Sequence, residues 1–140
     1  MNPETGTYAK RWYKNGELHR DDGPAIEWAN GSKGWYKNGL LHRDDGPAHE
    51  GADGHKWWYK NGECHRDDGP AVEHSDGYKA WYTDGKRHRE DGPAIIWFDG
   101  SKGWFKNGNR IHDLPAHFPL KILVEHGALS PIQIAKERLK

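Results

Sequence analysis

Tryptophan stands at positions 12, 35, 58, 81 and 104, a spacing of 23 residues at every step. A chain that repeats at such a period builds one small supersecondary unit several times over, and that constrains the fold more than any other feature. The unit reads W-Y-K-N-G-x-x-H-R-D-D-G-P-A-x-E-x-x-N/D-G-x-K-x. The first three copies keep W-Y-K-N-G and H-R-D-D-G-P-A intact, and the fourth changes them to W-Y-T-D-G and H-R-E-D-G-P-A. The fifth opens as Trp104-Phe105-Lys106-Asn107-Gly108 and then departs, with a shortened loop at His112-Asp113-Leu114-Pro115-Ala116. Atypical terminal copies are expected of a capped array. One Trp and one Tyr per copy cannot offset the entropy lost in ordering the rest of the unit. Neighbouring copies must therefore complete one another's sheet and aromatic rows.

Turn chemistry sets the local structure. Asn-Gly or Asp-Gly occurs twice per copy, as at Asn30-Gly31 and Asn38-Gly39. These dipeptides suit the two central positions of a type I′ hairpin turn, where φ is positive. Between them, Lys33-Gly34-Trp35-Tyr36-Lys37 carries strand-favouring aromatics. Gly or Pro recurs too often for a helix. The expectation is an all-β array with two strands per copy, joined as an antiparallel meander. A β-helix with one coil per copy is the second choice. With two-residue loops at both turns, Ile26 faces Trp35, Trp35 faces His42, and Tyr36 lies between Ala25 and Leu41. One face then holds Trp, His and Ile26, and the other holds Tyr, Ala and Leu41. A different loop length would swap the faces.

Residues 117–140 break the pattern. Pro119 to Gly127 reads as a short helix, and Ser130-Pro131 as N-cap and first position of a second helix from Ile132 to Lys140. The division is therefore a hairpin array over residues 1–116 and a short α-helical C-terminal cap over 117–140. Leu120, Leu123, Ile132 and Ile134 would cover the last strand, whose open edge otherwise invites association. The two helices also have a faint helix-turn-helix look, and the cap is preferred.

Composition narrows the function classes. Mean hydropathy is -1.13 and 30% of residues are charged, values that lean toward disorder. Eight Trp and six Tyr at fixed places argue for a fold with few, aromatic, buried positions. The formal net charge is +0, which disfavours nucleic acid as a partner and a strongly acidic DNA mimic alike. The sequence has no apolar run long enough to span a bilayer and no signal-peptide core near its start. With one cysteine, Cys64, and hence no internal disulfide, a cytoplasmic location is expected, that of the host cell if the protein is viral.

The unit resembles the MORN repeat, which has a similar length. With Tyr36 at the family's aromatic position, K-N-G-x-x-H at Lys37 to His42 coincides with the family pattern, and a later D-G also matches. Where the family has G-x-G after the His, this chain has R-D-D-G-P-A. In this it looks more like the MORN-like variants of phage and bacterial repeat proteins. The resemblance covers residues 12 to about 103. It implies an elongated single-layer sheet of hairpins that serves as a scaffold, contacts proteins or sometimes phospholipid, and has no enzyme activity.

Individual constellations follow. The block His19-Arg20-Asp21-Asp22 and its copies could ligate a metal, but it lacks Cys and any helical ligand pair. The preferred reading packs His on Trp while Arg and Asp bridge and cap the bend before Gly-Pro. No metal, cofactor or catalytic residue is assigned, because a motif repeated along a sheet makes several similar surfaces rather than one asymmetric pocket. Trp12, Trp35, Trp58, Trp81 and Trp104, with His19, His42, His65 and His88, are read as structural columns, the packing of His outweighing a pH switch. Cys64 aligns with Leu18 and Leu41 as a small apolar filler. The row Lys10, Lys33, Lys56, Lys79 and Lys102 could track phosphates beside stacking aromatics. Cross-strand pairing with Glu27, Glu50 and Glu73 is the plainer reading.

Recurrent positions serve the fold, so a partner would read the positions that vary between copies. His49, His55, Trp57, His74 and Tyr78 gather in the central copies and form the candidate binding patch. Drift on a tolerant surface accounts for the same variation equally well. The expected function is a non-enzymatic protein-binding module, in the manner of a phage-encoded modulator or inhibitor of a host protein system. A nucleic-acid or nucleotide binder is the first alternative and a lipid-associated scaffold the second. Self-association through sheet edges is a further partner option.

Overall fold

A computed structural model describes residues 9–111 together with the backbone of the strand Glu4–Thr5. The described residues are all-β and contain no helix. Ten short strands form one antiparallel sheet in chain order: Glu4–Thr5, Ala9–Arg11, Ile26–Trp28, Lys33–Gly34, His49–Glu50, Lys56–Trp57, Val72–Glu73, Lys79–Ala80, Ile95–Ile96 and Lys102–Gly103. The meander is thus present and the β-helix alternative is not. Each copy also folds a separate two-stranded hairpin, such as Tyr36–Lys37 with Leu40–Leu41, so a full copy carries four strands rather than two. The two C-terminal helices expected within residues 117–140 lie outside the described residues.

Tryptophan marks where the chain changes partners. The Trp35 N–H donates to the Ala48 carbonyl (2.7 Å), on the long-sheet side. Its carbonyl accepts from the His42 N–H (3.0 Å), on the hairpin side. Beyond that point Tyr36 pairs with Leu41 and Lys37 with Leu40. The turn between them is the expected type I′, with Asn38 at φ 51 and Gly39 at φ 81. The Trp35–His42 and Tyr36–Leu41 pairings are as expected.

The other turn differs from the expectation. Trp28 and Ser32 close a three-residue loop, through Trp28 N–H to Ser32 C=O (2.9 Å) and Gly31 N–H to Trp28 C=O (3.0 Å). Of the Asn30-Gly31 pair only Gly31 (φ 94) is left-handed. The Asn30 side chain instead accepts the Ser32 N–H. This is the hairpin in which a left-handed glycine follows a type I turn. The extra residue shifts the long sheet by one. Ile26 lies opposite Gly34, not Trp35, so Trp35 and Ile26 are on opposite faces. Trp35 shares its face with Ala48 instead.

Register then defines the two faces. One carries the alternating row Lys10, Glu27, Lys33, Glu50, Lys56, Glu73 and Lys79, each paired with the next. The repeat tryptophans lie on the same side, and an arginine caps each of the first four: Arg20 over Trp12, Arg43 over Trp35, Arg66 over Trp58 and Arg89 over Trp81, at 3.8–4.0 Å from the ring centroid. Arg43 also donates to Asp45, to the Pro47 carbonyl and to Glu50. The bridging role of Arg and Asp is therefore present, but Arg covers the indole and His does not. Beneath lie Ala25, Ala48, Ala71 and Ala94, all 0% exposed. The opposite face holds Ile26, Val72 and Ile95, and Tyr82 and Phe105 pack in the cluster of the latter two.

Histidine has a different task. His19 Nδ1 accepts the backbone N–H of Asn38 (3.0 Å), in the next copy's turn. Its Nε2 meets Asp21 (2.7 Å). His42, His65 and His88 repeat this with Asn61, Asp84 and Asn107. The Gly39 N–H adds a bond to the Leu18 carbonyl (2.9 Å). Successive hairpins are thus fastened tip to flank by backbone and imidazole together.

Candidate binding surface

The five residues singled out as a patch stand together on the face opposite the repeat tryptophans. Direct pairing sets His49 opposite Trp57. Their rings are 4.8 Å apart. His55 stacks on His74 at 4.1 Å and meets Trp57 at 5.9 Å. His74 touches Trp57 at 5.7 Å and Tyr78 at 4.9 Å. The chain of rings extends to a residue outside the expected patch: Trp28 lies 5.5 Å from His49, across the strand that carries Gly34. All six rings are half-buried, so each keeps an apolar surface open while its neighbours hold it in place.

The electrostatics follow from this packing. Burial holds His49 below its ordinary pKa, with Asp53 pulling the other way. Burial also lowers His74, and repulsion from His55 adds to it, against Asp76 and Asp53. Tyr78 is raised by burial. His55 is bonded to Asp53 twice, by its backbone N–H to Oδ1 (3.1 Å) and by its ring Nδ1 to Oδ2 (2.9 Å). Burial pushes the Cys64 thiol up to about 12, which disfavours its thiolate form.

Variation between copies has a packing component beside binding and drift. Trp28 reaches over Gly34, where a Cβ would come within 3.3 Å of the indole and 3.0 Å of Tyr36. Trp97 does the same over Gly103, beside Phe105. In the second copy the sizes are exchanged, with Gly51 at the place of Trp28 and Trp57 at the place of Gly34. In the third the pair is His74 and Ala80. Large meets small each time, a six-residue covariation visible in the sequence alone. Where Gly51 stands, a recess of ≈ 230 Å³ opens, lined by Asn30, Ser32, His49, Gly51, Ala52, Asp53 and Trp57.

The other face offers open grooves between copies. One of ≈ 580 Å³ is lined by residues including Asp44, Asp45, Trp58, His65, Arg66 and Asp67. Similar grooves lie one copy earlier and one later. Among the described residues no three of His, Cys, Asp and Glu are grouped to hold a metal ion. Both ring nitrogens of His19, His42, His65 and His88 are already engaged. The Lys row is interleaved with Glu27, Glu50 and Glu73, so it forms no unopposed basic stripe up to Lys79. Among the described residues no helix is long and apolar enough to cross a membrane. No protein-family model matches the chain, and no curated protein sequence matches it.

Proposed function

We propose that this chain is a non-enzymatic protein-binding module of MORN-like repeats, and that it engages its partner through the aromatic and histidine face of the central copies. The observation that carries this is the continuous run of ring contacts from Trp28 through His49, Trp57 and His74 to Tyr78, with His55 stacked beside it. Half-buried aromatics held rigidly by neighbours lose little conformational freedom on binding and supply most of the energy in protein interfaces. The repeat framework spends its charged residues on itself, which leaves this face as the copy-specific surface. The likeness to MORN-like repeats of phage and bacteria supports a modulator or scaffold acting on a host protein in the cytoplasm.

The test is capture of partners from lysate by the intact chain and by a Trp57→Ala, His74→Ala, Tyr78→Ala triple variant whose thermal melt stays cooperative. A partner held by the first and lost by the second supports the reading. Retention of every partner by the triple variant sinks it. Binding to polyanions that weakens steeply with salt would favour the nucleic-acid alternative, and flotation with liposomes the lipid one.

A further inference from the structure

The recess at Gly51 has a composition that the rest of the molecule explains. Its lining includes Trp57, His49 and Asp53, and Asp53 Oδ1 stands where a Cβ of residue 51 would be. An indole beside a carboxylate is what each framework site also offers, and there a guanidinium completes the set. Arg43 lies 3.8 Å over Trp35 while it bonds Asp45 and Glu50. Arg20 does the same over Trp12 with Asp22, and Arg66 over Trp58 with Asp68 and Glu73. Four arginines cap four framework indoles, and among the described residues no cation caps Trp57.

The recess exists because copy two carries glycine where the other copies carry Trp28, His74 and Trp97. A Cβ at Gly51 would come within 2.5 Å of Asp53 Oδ1, so glycine is what lets the carboxylate lean into this place. Asp53 remains well exposed, at 61% of its side chain. It uses one oxygen on the His55 N–H and the other on the His55 ring. A carboxylate has about four acceptor directions, so capacity remains on the recess side. Ser32 Oγ accepts the Ala52 N–H of the next copy and Asn30 Oδ1 accepts the Ser32 N–H, which holds the rim in shape.

We infer that the recess formed by Gly51, Asp53, His49 and Trp57 receives an arginine side chain of the protein partner, whose guanidinium lies against the Trp57 ring and bonds the Asp53 carboxylate. This rests on the protein-binding reading above and names the chemistry of its anchor. Guanidinium is favoured over ammonium because it is planar, weakly hydrated and able to stack while it donates in its plane. A recess lined by a tryptophan and a carboxylate uses both properties.

The probe is L-argininamide, with citrulline amide as its uncharged isostere. The readout is the Trp57 indole N–H resonance of the full chain, identified by its loss in Trp57→Phe. Argininamide is expected to shift that resonance saturably, and citrulline amide to leave it in place. Asp53→Asn should weaken the argininamide affinity by about five-fold or more, since it removes the charge but keeps the shape. Gly51→Ala should weaken it as well by displacing the carboxylate, and both variants should keep the wild-type amide spectrum elsewhere. Equal shifts from the two amides, or unchanged affinity in Asp53→Asn, would overturn the inference. If argininamide fails while the triple alanine variant still loses its captured partner, only the arginine anchor falls. If that variant keeps its partner, the protein-binding reading falls first.

Discussion

The two faces of the long sheet obey different rules. On the Trp35 side, each of four successive copies makes the same contacts: arginine on indole, arginine on the aspartate two residues on, and arginine on the Pro carbonyl of the loop. Opposite it, the positions of Trp28, Ser32 and Gly34 become Gly51, His55 and Trp57, then His74, Tyr78 and Ala80, and return as Trp97, Ser101 and Gly103. The first and fourth copies agree, and the central two differ from them and from each other. Holding the array together on one face relieves the other of sameness. Only a size rule remains there, that large must meet small.

The largest expected effect tests the claim that the framework face carries the stability. Trp58→Ala removes an indole that Arg66 covers and strands the guanidinium's packing. A loss of about 3–5 kcal/mol is expected in urea unfolding. His55→Ala, on the variable face, should cost under about 1 kcal/mol. Comparable losses at the two sites would erase the distinction.

A double-mutant cycle sharpens the size rule. Gly51→Trp with Trp57→Gly rewrites copy two in the pattern of the first and fourth. Each single change should destabilise, one by crowding and the other by a cavity. The pair should recover about 1–2 kcal/mol as coupling energy between the sites. Additive single losses would mean that the exchange of sizes is coincidence. The double variant should also close the recess at Gly51.

These substitutions bear on how much was readable from residues alone. Period, strand class, the type I′ turn at Asn38-Gly39 and the grouping of His49, His55, Trp57, His74 and Tyr78 all follow from local chemistry and spacing. The register of the long sheet did not follow from the same Asn-Gly rule, because Asn30 is right-handed and the loop has three residues. The better signal was charge. Pairing Lys33 with Glu27 demands that Gly34 face Ile26, which is the observed register. The Lys33–Glu27 pair and the Asn30-Gly31 dipeptide point to registers one residue apart, and the sheet adopts that of the charge pair. Arginine's place on the indole was missed because His42 does pair with Trp35 along the backbone while its ring turns to the next copy's Asn61. Trp28 occupies a position that varies between copies but belongs to the first copy, outside the central patch, and the missing side chain of Gly34 lets it reach His49.

A smaller effect probes the joint between copies. His42→Ala leaves the Asn61 N–H without its imidazole acceptor. Asn61 is exposed, so water substitutes in part, and the cost should be about 0.5–1.5 kcal/mol. Hydrogen exchange should quicken at Asn61 and its neighbour Gly62, and far less at Ala71, whose N–H is bonded to the Ala80 carbonyl on the long-sheet side. Uniform acceleration throughout would show that hairpins and sheet open as one unit.

The smallest expected effect separates the faces by pH. His49 and His74 are held below their ordinary pKa, chiefly by burial. Above the unfolded value of about 6.5, both states are neutral at these rings and stability does not depend on them. As pH falls below that value the unfolded chain takes up protons that the folded rings resist, so stability declines until the lowered folded values are reached. Urea midpoints should therefore fall between pH 7.5 and 5.5, and His49→Phe with His74→Phe should flatten that slope. The decline belongs to the variable face only if the double variant removes it. Should the slope persist unchanged, the variable face is not its source.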